Sequence, residues 1–302
     1  PNATIAGNTT VCINTGTVPV TFTGTLGTAE YIFSYKINGG ATLTTPPSTG
    51  GSYTINAPTN VAGPFIYSLV GVSNATPVGT PCTRVISGQS ITVNITPDAT
   101  VTLRPGDNDN QTVCVNNPII NIRYDVGGSG TGGAVSGLPA GVTGTYAAGV
   151  ITITGTPTSA VGSPFTYTVT TTGPCLTPQV TGTITVTDNA TIALTSAVGS
   201  DNQTLCINTP LLVNITYAVG GTGTGGSVTG LPAGVTGVFA GGVITISGTP
   251  TAPGVFNYTV LTTGPCVIPT AAGSITVTAD GTLTLTSAVG TDNQSICINV
   301  PI

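Results

Sequence analysis

The chain has 302 residues, a net charge of −5, and only 4% Asp, Glu, Lys and Arg. Four Lys and Arg side chains cannot build the cationic stripe that a phosphate backbone or an anionic membrane surface requires, so nucleic acid is excluded as a partner. With no His, one Lys (Lys36) and one Glu (Glu30), the many Ser and Thr hydroxyls lack a general base, and the chain is not expected to be an enzyme.

The first unit, residues 1–97, carries VCIN at 11–14 and then five alternating runs: VPVTFTG (18–24), EYIFSYKIN (30–38), SYTIN (52–56), PFIYSLVGV (64–72) and SITVNIT (90–96). Apolar residues at every second position read as half-buried strands, and the Pro, Gly, Asn and Ser between them as turns. Phe65, Tyr67 and Leu69 share one face and Ile66 and Ser68 the other. Tyr31, Phe33 and Tyr35 also share a face. A core face is the expected reading; a sugar-stacking platform is the alternative, weakened by the absence of Trp.

Residues 98–189 and 190–280 match block by block, for example YDVGGSGTGGAVSGLPAGVTGTY against YAVGGTGTGGSVTGLPAGVTGVF. In the second unit, TVTL, QTVCV, IINIRYDV, TGTY, GVITITG, PFTYTVTTT and GTITVT read as strands. About seven short strands of period 2 in ~90 residues predict an all-β chain of tandem Ig-like sandwiches. Ile151, Ile153, Phe165, Tyr167, Val169, Ile184 and Val186 are predicted to point inward. Their counterparts are Ile244, Ile246, Phe256, Tyr258, Val260, Ile275 and Val277. Threonine at the alternate positions would give a neutral, hydroxyl-rich surface. The junctions ITPDATV, VTDNATI and VTADGTL leave almost no linker, which predicts an extended bead-on-string rod whose nearest partners are its own neighbouring repeats. Residues 281–302 are expected to begin a further repeat. No run reaches the about 18 apolar residues of a membrane-crossing helix, so no membrane insertion is expected.

The cysteines mark the period: Cys114, Cys206 and Cys297 fall in copies of one block, DNQ-x-x-C, and Cys175 and Cys266 in another. Pairing within each unit is expected, Cys12 with Cys82, Cys114 with Cys175 and Cys206 with Cys266, while Cys297 awaits a partner in the continuation of its unit. Paired cysteines in a chain without His favour an oxidising, extracellular compartment over a metal site.

Asp188, Asp201, Asp280 and Asp292 lie at or just beyond junctions, where a calcium ion could sit. Each junction offers about two carboxylates, few for an ion that takes six to eight oxygens, so Asx turns are the preferred reading and no cofactor is expected. GGSGTGG (127–133) and GGTGTGG (220–226) lack the Lys and helix of a phosphate loop and read as flexible loops or bent strands. The sequons at Asn2, Asn94, Asn189 and Asn214 are weak signals in a chain so rich in Asn and Thr. A lysine-based isopeptide staple in every unit is ruled out by Lys36 being the only lysine.

The block GLPAGVTGTYAAGVITITGTPTSAVGSPFTYTVTTTG (137–173), with its copy at 230–264, resembles the bacterial Ig-like repeat that runs Gly-Leu-Pro, Gly-Thr-Pro, aromatic strand. Combined with TLTSAVG-DNQ-CIN and the opening ATIAGNTTVCIN…YIFSYKINGG, it resembles the SprB-like giant repetitive gliding-motility adhesins of flavobacteria, over essentially all 302 residues. Similar repeats occur in other large Bacteroidota surface proteins. The resemblance implies a filament at the outer surface of the cell, exported by the type 9 secretion system and moved by the gliding machinery, with external surfaces or polysaccharide as targets. A carbohydrate-binding array and a passive spacer in a secreted enzyme are the alternatives.

Overall fold

A computed structural model describes residues 1–27, 30–74 and 81–288. It is all-β among these residues, and the chain divides into two compact units, Pro1–Val186 and Thr187–Ile302. Asp292 and Cys297 lie outside the described residues.

The first unit holds two sandwiches. One is built from β1 (Asn2–Ala6), β2 (Thr9–Cys12), β3 (Thr17–Thr25), β4 (Tyr31–Ile37), β5 (Leu43–Thr44), β6 (Ser52–Pro58), β7 (Gly63–Asn74) and β8 (Thr83–Thr96). Its sheets have the orders β1-β3-β6 and β2-β8-β7-β4-β5. The strand β2 runs parallel to β8, so the opening segment switches from one sheet to the other. The five runs read from the sequence are all strands; β1, β2 and the short β5 were not read. Phe22, Phe33, Tyr67, Leu69, Val93 and Ile95 fill the core, and Tyr31 and Phe33 are buried there as the core-face reading requires.

The other sandwich of this unit comprises β9 (Ala99–Leu103), β10 (Asn110–Cys114), β11 (Ile122–Gly128), β12 (Gly132–Ser136), β13 (Val142–Ala147), β14 (Val150–Gly155), β15 (Phe165–Thr172) and β16 (Gln179–Thr187). The orders β13-β14-β11-β9 and β10-β16-β15-β12 are the ABED and CFG sheets of an Ig-like fold, with the split first strand added to the second sheet. Of the two readings of the glycine block, a flexible loop or a bent strand, the structure is nearer the second. Instead of a flexible loop, it is the corner where β11 leaves one sheet and β12 enters the other: Gly128 takes a left-handed φ of 62°, and a side chain on Gly133 would collide with Ile151.

The second unit repeats this arrangement in one sandwich: β17 (Ala190–Leu194), β18 (Asn202–Cys206), β19 (Ile215–Gly221), β20 (Gly225–Thr229), β21 (Val235–Ala240), β22 (Val243–Gly248), β23 (Gly254–Thr263) and β24 (Thr270–Thr278). Every residue predicted to face inward is core, with Phe165 and Phe256 partly covered at its margin. Among the described residues four threonines are buried, Thr45 and Thr59 in the first sandwich and Thr171 and Thr262 beside the loops that precede β16 and β24.

Candidate functional site: the joint between successive sandwiches

The chain leaves the first sandwich at Thr96 and begins β9 at Ala99, with only Pro97 and Asp98 between. These residues are held by the loop that joins β15 to β16. Ala99 N donates to Leu176 O at 3.0 Å, Leu176 N donates to Asp98 Oδ1 at 3.3 Å, and Ser129 N donates to Asp98 O at 3.3 Å. The loop is closed by Thr171, whose Oγ1 donates to Pro178 O at 3.3 Å. Cys175 sits at its tip, with Sγ 3.7 Å from Thr96 O, the same carbonyl that accepts Ile13 N.

That position decides the disulfide. Cys12 ends β2 and bonds Cys175 of the next sandwich, with Cα atoms 5.6 Å apart and a separation of 163 positions in sequence. The pairing within units is therefore corrected: Cys12 does not bond Cys82, and Cys175 does not bond Cys114. Cys82 and Cys206 are exposed thiols, so Cys206 does not bond Cys266, while Cys114 and Cys266 are each disulfide-bonded. The cause is strand geometry. Cys12 lies opposite Thr96, the last residue of β8, whereas Cys82 immediately precedes Thr83, the first. A strand of 14 residues at ~3.3 Å per residue separates them by roughly 40 Å, against the ~7 Å a disulfide tolerates between Cα atoms. Likewise Cys206 lies opposite Thr278 at the end of β24, and Cys266 precedes its start. Sequence spacing counts residues between cysteines but is blind to which end of a sandwich each occupies.

With the cysteines committed to ends of the sandwich, the core is pinned another way. In antibody domains a disulfide ties the B and F strands across the sheets. Here Tyr124 on β11 and Tyr167 on β15 stand in those strands, both buried, with hydroxyls 3.0 Å apart. Tyr167 has one proton and gives it to Asp109 O at 3.0 Å, because a carbonyl can only accept; Tyr124 therefore donates to Tyr167. Tyr217, Tyr258 and Asp201 repeat the chain of bonds at 3.2 and 2.9 Å. Burial pushes the pKa of all four tyrosines up, and that of Tyr167 and Tyr258 furthest. Gly182 and Gly273 lie beneath the Tyr167 and Tyr258 hydroxyls, where a Cβ would collide with the ring.

This explains the repeated Asp-Asn-Gln block. Its Asp supplies a backbone carbonyl. Its Gln ties the start of the strand to the loop after it: Gln203 donates to Ser200 O and Val213 O at 2.9 and 2.7 Å and accepts from Leu212 N, as Gln111 donates to Asn108 O and Ile120 O and accepts from Ile120 N. Of the calcium candidates, Asp201 acts through its carbonyl, Asp188 offers its own to Thr222 Oγ1 at 2.6 Å, and Asp280 is exposed. Among the described residues no three His, Cys, Asp or Glu side chains gather closely enough to hold a metal. Two cross-strand ion pairs, Arg104–Asp125 and Arg123–Asp107, occur in the second sandwich and hold both carboxyls below their ordinary pKa through hydrogen bonds from the guanidinium groups. In the next sandwich Thr195 and Thr216 stand in place of Arg104 and Arg123, bonded hydroxyl to hydroxyl at 2.9 Å.

No known protein family matches the sequence, and no curated protein matches it. Solved structures do. The I-band fragment I67-I69 from titin matches with a TM-score of 0.61 at 12% identity, over 92% of this chain and 99% of that one. The 3Ig structure of the titin I67-I69 E-to-A variant gives 0.61 at 13% identity over the same shares. The chain is an array of tandem Ig-like domains. At this identity the likeness concerns the fold alone.

Proposed function

We propose that this chain is a load-bearing stalk segment of a non-enzymatic cell-surface adhesin. The observation that carries the reading is the Cys12–Cys175 bridge: it joins two separate sandwiches rather than reinforcing either, which matters only if the joint between them must not open. The loop that presents Cys175 is also hydrogen-bonded to the two connecting residues, so covalent and non-covalent ties converge on the same joint. Oxidised cysteines support a location outside the reducing cytosol. The neutral, threonine-lined strand faces offer neither a general base nor a cationic surface, consistent with a stalk whose ligand is bound elsewhere in the parent protein.

The resemblance to SprB-like adhesins supplies the finer reading: a filament on the outer membrane surface of a Bacteroidota cell, exported by type 9 secretion and coupled to gliding. Tagging one repeat in the parent protein and following the label on live cells tests it. Directed travel along the cell is expected. A label that stays fixed contradicts motor coupling, and one released into the medium contradicts a cell-bound stalk.

A further inference from the structure

We infer that the Cys12–Cys175 bridge is one rung of a disulfide ladder running along the array, in which the cysteine ending the second strand of each repeat bonds the Pro-Cys cysteine of the repeat after it. By this rule Cys206 is the half of a rung that the Pro-Cys cysteine of a following repeat would complete, and Cys82 the half that the second-strand cysteine of a repeat before it would complete. The inference does not rest on the adhesin reading.

Three observations carry it. The first is polarity: within each sandwich the two cysteines occupy opposite ends. Cys12 and Cys206 stand beside the last residue of the final strand, where the chain leaves, and Cys82 and Cys266 stand before the first residue of that strand. Each sandwich thus presents one half-rung at its exit and one at its entry, and neither can close on the other.

The second is that the receiving end is built twice. Around Cys266, Sγ lies 3.8 Å from Thr187 O, Ala190 N donates to Val267 O at 3.1 Å, Val267 N donates to Asn189 Oδ1 at 3.4 Å, and Thr262 Oγ1 donates to Pro269 O at 2.9 Å. Residue for residue these are the bonds that set Cys175 over Thr96, with Asn189 replacing Asp98. The carbonyl beside Cys266 belongs to the last residue of β16, as the one beside Cys175 belongs to the last residue of β8.

The third is redox state. Cys114 and Cys266, which end the second strand of one sandwich and follow the proline of the repeated Pro-Cys block of another, are both disulfide-bonded, while Cys82 and Cys206 are exposed thiols. Those two are the positions whose partners the rule assigns to other repeats. When a rung forms, two Sγ–H bonds are lost and one Sγ–Sγ bond is made. The two protons and two electrons pass to a disulfide-bearing thiol oxidant, whose own disulfide becomes two thiols.

The chain, purified from an oxidising compartment, is denatured without reductant in the presence of an alkylating agent, digested and mapped by mass spectrometry. The ladder predicts Cys12 joined to Cys175, no alkyl group on Cys114 or Cys266, and alkyl groups on Cys82, Cys206 and Cys297. Recovery of Cys114 joined to Cys175, or of Cys206 joined to Cys266 with a single alkylated cysteine, overturns it. In a chain extended through one more whole repeat, the alkyl group on Cys206 should vanish and its peptide should appear bonded to the Pro-Cys cysteine of the added repeat. Persistent alkylation of Cys206 in that chain refutes the rung assigned to it.

Discussion

Replacing Tyr167 by Phe and Tyr124 by Phe removes the same atom from the two ends of one hydrogen-bond chain, and the structure predicts unequal costs. In Tyr167→Phe the Tyr124 hydroxyl keeps its proton but loses its acceptor inside a core where Tyr124 is 1% exposed, and Asp109 O retains only Thr183 N. A buried donor without a partner costs roughly 1–3 kcal/mol, so about 2 kcal/mol is expected. In Tyr124→Phe the lost group is the donor itself; Tyr167 still donates to Asp109 O, and about 1 kcal/mol is expected. The double variant should cost less than the two singles together, because no donor is left orphaned. Amide hydrogen exchange on the whole chain reads the opening free energy of β11 and β15, with Tyr217 and Tyr258 one sandwich later as an unperturbed reference. Equal costs for the two singles, or strict additivity, would refute the assigned direction of proton donation.

Three further outcomes follow from the same geometry. Gly182→Ala drives a methyl group into the Tyr167 ring and hydroxyl and should destabilise the second sandwich by on the order of 3 kcal/mol, seen as lost exchange protection in β15 and β16. The buried tyrosines hold their protons more tightly folded than unfolded, so thermal stability should be level from neutral pH to about 9 and fall above about pH 10, where the unfolded chain ionises first; a melting temperature that rose in that range would contradict it. A calcium chelator should leave the melting temperature unchanged, and a drop of several degrees would restore the junction aspartates as ligands.

The architecture was legible because strand periodicity is a local signal: Ile151, Ile153, Tyr167 and Val169 alternate with residues that face out, and burial follows the alternation. Repetition then carried the assignment to Ile244, Ile246, Tyr258 and Val260. What the sequence concealed is non-local. Nothing in the spacing of Cys12, Cys82 and Cys175 reports that a 14-residue strand separates the first two in space while a two-residue connection brings the first and third together. The tyrosine chain was hidden for a related reason, since periodicity places Tyr124 and Tyr167 in the core without saying that their hydroxyls meet. One signal was available: a Gly inside a strand, as in Val180-Thr181-Gly182, marks a close approach by another group, here the Tyr167 hydroxyl.

The central claim is that the joint between sandwiches carries load through a covalent bond, and pulling a single molecule tests it directly. With handles attached at Pro1 and Asp188, tension in the oxidised chain passes from Cys12 to Cys175 and bypasses the loop that carries β3 to β15, leaving only β1, β2 and β16 on the loaded path. Without reductant the expected trace lengthens by no more than the segments outside that loop supply, on the order of 90 Å. After reduction two openings appear, and the chain lengthens by roughly 550 Å at about 3.4 Å per residue. Release of the full length, roughly 550 Å, in the absence of reductant would contradict the claim, since it requires the loop closed by the bridge to bear the load.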